Sequence, residues 1–152
     1  MTNSVMPNAN VPTARAVSAS AERDAIGTLW QKGSVGGVEP AFVLHDHRKP
    51  RPHFDLRLEA DGVLRSWAVP RGLPTDPARN RLAVAVPDHD LDHLTYTDAD
   101  KSIADIGWWQ EEDRNDKRFV FTLHGREGSH RYALIHTDGV NWLLHRTKEQ
   151  PD

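Results

Sequence analysis

From Ala41 to Thr147 the chain is written in short apolar runs broken by turn residues. The runs are AFVLH (41–45), HFDLRLE (53–59), VLRSWAV (63–69), RLAVAV (81–86), RFVFTLHG (118–125), HRYALIH (130–136) and NWLLHRT (141–147). Each alternates or clusters apolar residues over a strand's length, so the pattern predicts seven strands. Ala60-Asp61-Gly62 and Asp138-Gly139 are hairpin signals between them. Short strands with little helix between them predict a mainly β fold, a small antiparallel closed or nearly closed β-barrel with one or two short helices. One short helix is expected from Ala21 to Gln31 with Ser20 as N-cap, anchored by Leu29 and Trp30, and one helical turn from Thr75-Asp76-Pro77. Residues 1–20 are small, polar and aperiodic and are expected to form a disordered tail, leaving residues 21–150 as a single domain.

The run HFDLRLE is unusual in what it alternates. Phe54, Leu56 and Leu58 occupy one face, and His53, Asp55, Arg57 and Glu59 the other. Residues two apart on a strand share a face at a spacing of about 6.6 Å, so His53, Asp55 and Arg57 project side by side. His47 lies six residues before His53, across an Arg/Pro kink that can fold it back onto that face. Two imidazoles and a carboxylate suit Mn²⁺, Zn²⁺ or Fe²⁺, and an arginine fork beside them suits phosphate or carboxylate. The plain alternative is a solvated strand face. Because the odd positions are not the apolar ones, Asp55→Ala is expected to leave the fold largely intact. Further candidates are His89 and His93 at the end of the RLAVAV run, and Arg71 and Arg81 flanking neighbouring strands, which together with Arg57 can surround an anion.

Composition narrows the class. Of 152 residues 38% are hydrophobic and 27% charged, with no cysteine. Disulfides and thiolate metal sites are thereby excluded, and any metal must be held by nitrogen and oxygen. No apolar run approaches the roughly 20 residues of a membrane helix, and a cytoplasmic protein without membrane contact is the expectation. The net charge of −3 argues against coating nucleic acid along its length. Residues 45–81 nevertheless carry eight basic against five acidic side chains, a local cationic patch able to take an anionic group.

The stretch FVLHDHRKPRPHFDLRLEADGVLRSWAVPRGLPTDPARNRLAVAVPDHDLDH (42–93) closely resembles the 3′-phosphoesterase domain of bacterial DNA ligase D. The family pattern is a His, five residues, His-Tyr-Asp-Phe-Arg-Leu-Glu, Asp-Gly, Ser-Trp-Ala-Val-Pro-Lys-Gly, and later Asp-His. The likeness resumes at FTLHG and NWLLHR, so it spans most of residues 41–147. It implies a small β-barrel that binds Mn²⁺, with Zn²⁺ or Co²⁺ as other candidates. It also implies an enzyme that trims DNA 3′ ends in non-homologous end joining, by removing a terminal ribonucleoside or a 3′-phosphate. By position it implies His47, His53 and Asp55 as metal ligands, and Arg57, His89 and His93 as catalytic groups. Arg57, Arg71, Arg81 and His45 are then phosphate contacts. DNA 3′ ends are the expected partner, alongside separate end-joining ligase, polymerase or Ku-type proteins.

Five departures from the pattern stand out. His93 replaces a tyrosine and His45 a glutamine, and Arg71 replaces a lysine. A glycine-rich segment is replaced by DADKSIADIGWWQEEDRNDK (98–117), and the family's N-terminal Arg-Asp element has only Arg23-Asp24 as a counterpart. His93 is therefore expected to add a titration near neutral pH, and 3′-phosphate removal to exceed ribonucleoside removal. Two other functions fit the same residues. One is a module that binds DNA 3′ ends or a repair partner without turnover. The other is an Fe(II) oxygenase, with the His-x-Asp pair completed by His136 and an accompanying Arg146.

Overall fold

The computed structural model describes residues 39–152. The expected helix at Ala21–Gln31, the tail at 1–20 and Arg23-Asp24 lie outside the described residues. Eight antiparallel strands follow in chain order: β1 (Ala41–His47), β2 (His53–Ala60), β3 (Val63–Val69), β4 (Arg81–His89), β5 (Lys101–Arg114), β6 (Arg118–Gly125), β7 (Gly128–Asp138) and β8 (Asn141–Arg146). They close into a barrel in the order β1-β2-β3-β4-β8-β7-β6-β5, with β5 returning to pair with β1.

Seven of these strands coincide with the apolar runs; the eighth, β5, does not. It runs through the segment that replaces the glycine-rich stretch, and its acidic residues conceal it. The two expected hairpins form as the sequence dictates. Asp61 (φ 56°) and Gly62 (φ 82°) make a two-residue turn with both φ angles positive, the turn whose twist matches paired strands. Thr75–Pro77 forms no helix; Asp76 closes a single turn through its carbonyl and Oδ1, which accept from Arg79 and Ala78. The one helix among the described residues is a 3-10 turn at Leu91–Thr95.

The barrel is filled from its inner face. Phe42, Leu44, Leu56, Leu58, Trp67, Val69, Trp109, Phe121, Leu134 and Leu144 form one continuous core. Even positions of β1 and β2 point inward, so the odd positions must point outward. Most of them are nevertheless not solvated, with His47 and His53 only half-buried. Asp55, Arg57 and Glu59 are all buried, because a second layer covers the outside of the wall. There the 3-10 helix inserts Leu94 (5% exposed) against Val43 and Leu64, with Leu91, Ile103 and Ile106 at its border. This overturns both the solvated-face alternative and the expectation that the odd face is free of structural duty.

Candidate active site

Register assembles the odd face. His47 lies opposite His53, His45 opposite Asp55, and Ser66 opposite Arg57, so all project from the same side of β1, β2 and β3. His47, His53 and Asp55 each offer a ligand atom within 4.8 Å of the other two. His47 Nδ1 is 3.2 Å from Asp55 Oδ2, and His53 Nε2 is 3.3 Å from Asp55 Oδ1. Donors bound at about 2.1 Å to one ion stand about 3.0–3.4 Å apart at ordinary coordination angles, so these separations fit a shared divalent cation. The protonation pattern fits as well. His53 Nδ1 donates to the Arg51 carbonyl at 2.8 Å, which turns an unprotonated Nε2 toward the carboxylate when the ring is neutral. A shared cation, like a proton on Nε2, would separate the two facing lone pairs.

Arg57 is the hub behind this cluster. It is 2% exposed, and each of its nitrogens has a separate partner. Nη2 meets Asp55 Oδ2 at 3.2 Å, Nη1 donates to Ser66 Oγ at 2.9 Å, and Nε donates to His45 Nδ1 at 3.2 Å. Burial pulls its pKa below the usual arginine value, and Asp55 opposes that. His45 is fully buried; its Nε2 donates to the Tyr96 carbonyl at 2.9 Å. Burial first, then the Arg57 charge, lower its pKa to about 4, so it is a neutral imidazole with a fixed tautomer. Both its nitrogens are committed. The structure thus places His45 behind Arg57 and tied to the 3-10 helix.

The helix and the end of β4 supply the facing wall. His93 stacks on His89 (4.2 Å between ring centres) and on Tyr96 (4.8 Å), and meets His45 edge-on at 5.4 Å. Lys101, buried at the start of β5, donates from Nζ to His93 Nε2 at 2.9 Å. Burial, then the charges of Lys101 and Arg57, push the His93 pKa down to about 3. The expected titration of His93 near neutrality is therefore corrected: burial, then two fixed cations, hold the ring neutral. His89 is lowered by the same causes, burial foremost. The combination of neutral imidazoles with two buried cations makes a pocket biased toward an anion.

Lys101 is the residue that sequence reasoning missed. It lies in an acidic stretch at a strand that the pattern does not reveal, and only the pairing of β1 with β5, which sets it opposite His47, brings it here. Ser66 was missed although the Asp61-Gly62 hairpin sets it opposite Arg57. Other expected contacts stay apart. Arg81 donates from Nη1 to the carbonyls of Arg71 and Gly72, bracing the β3–β4 loop, and Arg71 is exposed. Among the described residues, neither is hydrogen-bonded or ion-paired to the ligand cluster. His136 and Arg146 lie outside it too: His136 donates to the Gly139 carbonyl and packs on Trp142, and Arg146 meets His130. The oxygenase triad is not assembled.

Comparison with known proteins places this geometry. Residues 45–136 match the DNA ligase D 3′-phosphoesterase domain model. The chain is 42% identical over 131 residues to the multifunctional non-homologous end joining DNA repair protein LigD of Mycobacterium tuberculosis, covering 78% of this chain and 17% of that protein. It is 41% identical over 134 residues to LigD of Mycolicibacterium smegmatis (75% and 18%) and 36% over 141 residues to LigD of Pseudomonas aeruginosa (81% and 16%). The chain thus spans less than a fifth of the length of these relatives. The matched region contains the whole ligand cluster, Arg57, the stacked imidazoles and Lys101, and the chain belongs to the DNA ligase D 3′-phosphoesterase domain family.

Proposed function

We propose that this chain is a divalent-metal-dependent hydrolase of DNA 3′ ends that removes 3′-phosphates in end joining. The observation that carries the reading is the convergence of His47, His53 and Asp55 beside the buried cations Arg57 and Lys101. Mn²⁺ is the proposed ion, with Zn²⁺ and Co²⁺ as substitutes; when bound, it polarises a phosphoryl oxygen. Around it, Arg57 and Lys101 hold positive charge where charge builds up on the transferring phosphoryl group. Asp55 orients Arg57, while His45 and Ser66 hold its other nitrogens. His89, at the open end of the imidazole stack, is the group placed to donate a hydrogen bond to the leaving oxygen. Its depressed pKa makes it a neutral donor, and a bound phosphate dianion raises it toward the range in which it can give up a proton.

The relatives' names describe non-homologous end joining, and the substrate follows from that: break ends bearing a 3′-phosphate, met alongside separate ligase, polymerase and Ku-type proteins. Removal of a 3′-ribonucleoside is the weaker activity in this reading.

The test is release of inorganic phosphate from a 3′-phosphorylated primer-template, with a ribonucleotide-ended duplex in parallel. Release with Mn²⁺, its loss in chelator and its return on adding Mn²⁺ are expected, with slower cleavage of the ribonucleotide end. No release with Mn²⁺, Zn²⁺ or Co²⁺ would leave a module that binds ends without turnover. Release unaffected by chelator would remove the metal from the reading.

A further inference from the structure

A second cavity lies at one mouth of the barrel. The ligand cluster sits toward the β1–β2 connection, whereas the β2–β3, β5–β6 and β7–β8 turns gather at the opposite mouth of the barrel. There β4 pairs with β8 over Arg81–Val84, with one more bond from the Ala85 amide to the Val140 carbonyl at 2.8 Å, so its end, from Val86 to His89, is left without that neighbour. The resulting cleft has a volume of about 370 Å³. Trp67, Trp142, Ala85 and Phe119 line its apolar part. Trp142 stands edge-on to Trp67 at 5.9 Å and 83°.

Two observations mark this cleft as more than a packing defect. The first is Trp67 itself. It is 8% exposed, yet its indole Nε1–H has no hydrogen-bond partner among the described residues. A buried indole N–H ordinarily finds an acceptor, and this one lines the cavity. The second is the rim. Arg65 is ion-paired to Asp61 and Asp88 and Arg114 to Glu111, while Lys117 and Arg118 stand beside Asp116 as the rim's exposed cations. The turn carrying Lys117 and Arg118 is ordered: Asn115 Oδ1 accepts from both backbone amides at 2.9 Å, and the Lys117 carbonyl accepts from the His136 amide at 2.8 Å. Lys117 and Arg118 themselves are exposed.

We propose that this cleft binds an unpaired nucleotide of the DNA substrate, its base against Trp67 and Trp142 and its phosphates on Lys117 and Arg118. Each part has its chemistry. An aromatic floor accepts any base by its π-face, a base oxygen or ring nitrogen satisfies the Trp67 N–H, and rim cations take the backbone. A duplex, with its bases stacked and paired, cannot offer this. The cleft and the candidate active site lie on opposite faces of β3: Trp67 projects inward, opposite Leu56, and Ser66 outward, opposite Arg57. The inference rests on the reading of the substrate as DNA, and it gives the protein a preference for ends carrying single-stranded nucleotides over blunt ends.

The experiment uses the ¹⁵N-labelled full chain and follows the assigned indole resonance of Trp67 while the single strand (dT)₆ is added, with a blunt 3′-hydroxyl duplex as the second arm. The Trp67 indole resonance should shift with (dT)₆ and not with the duplex. The double variant Lys117→Glu/Arg118→Glu, on the exposed turn, should weaken (dT)₆ binding about tenfold or more, with the slope of log affinity against log salt reduced by about 1.4, or about 0.7 per lost phosphate contact. Its phosphate release from a blunt 3′-phosphorylated duplex should match the parent. Absence of (dT)₆ binding, a silent Trp67 at saturation, an equal shift with the duplex, or unchanged affinity in the double variant would each overturn the proposal. Phosphate release with a silent Trp67 removes the cleft alone. A Trp67 shift without phosphate release removes the phosphoesterase reading and leaves the cleft.

Discussion

At the scale of single residues, Asp55 does two things at once. It offers both oxygens to the imidazoles and keeps Arg57 paired inside the wall. Truncating one partner of a buried ion pair typically costs about 3–5 kcal/mol, because the other charge is left uncompensated. Asp55→Ala should therefore lose both metal binding and much stability, contrary to what alternation alone suggests. Asp55→Asn keeps the shape and a hydrogen-bond acceptor for Arg57, so it should lose Mn²⁺ affinity with a smaller drop in the urea midpoint; an equal drop in the two variants would show that Arg57 needs the carboxylate's charge and that an acceptor alone does not hold it. His93 gives a second residue-scale test. With its pKa at about 3, it stays neutral from pH 6 to 8, so His93→Tyr should leave the shape of the pH–rate profile over that range unchanged. The same group affects stability. Its folded pKa lies below the unfolded value of 6.5, so the folded state binds fewer protons between those values. Stability is full above pH 6.5 and falls as pH drops toward about 3. His93→Tyr should shrink that acid loss, as read from urea midpoints at pH 7 and pH 4.5.

At the scale of elements, β5 was illegible and β2 was plain. β2 alternates Phe54, Leu56 and Leu58 with polar residues, so its period is on the page. β5 mixes buried and half-buried positions with acidic ones, and a bulge at Ala104, opposite the Leu44–His45 step of β1, lets Ile103 and Ile106, three apart in the chain, pack on the same side. A period-two reading fails where the ladder slips by one residue. Gly107 marks how tightly this strand is held: a Cβ there would overlap the His124 carbonyl oxygen of β6. A backbone atom cannot swing aside as a side chain does. Gly107→Ala should destabilise by about 1–3 kcal/mol, measured by chemical denaturation. Because β5 also carries Lys101, the same variant should weaken phosphate release; a stable, fully active Gly107→Ala would mean that β5 can slide without disturbing the site.

At the scale of the whole molecule, the barrel separates two tasks. Its interior carries the apolar core, and its outer wall, roofed by the 3-10 helix, carries the polar cluster. A ligand that binds only the folded wall must stabilise the entire barrel, by about 2.7 kcal/mol at a hundredfold excess over its dissociation constant. Mn²⁺ should therefore raise the melting temperature of the parent and not of His53→Ala. An equal rise in both would place the ion elsewhere.

The sequence by itself determined seven strands, two hairpin turns and the grouping of His47, His53, Asp55 and Arg57, since the two-residue period and turn chemistry are local and short in range. The same residues also carried the family resemblance. Tertiary structure alone decided the rest. Which loop roofs the odd face, which acidic segment is a strand, and that Lys101 reaches His93 depend on β5 closing the barrel against β1, a contact between residues some sixty apart in the chain. That closure also turned the odd face from a wet surface into a buried one. Burial is what commits His45 and His93 to the neutral state and sets the guanidinium of Arg57 in place, and burial is a property of the packed barrel that no stretch of its sequence holds alone.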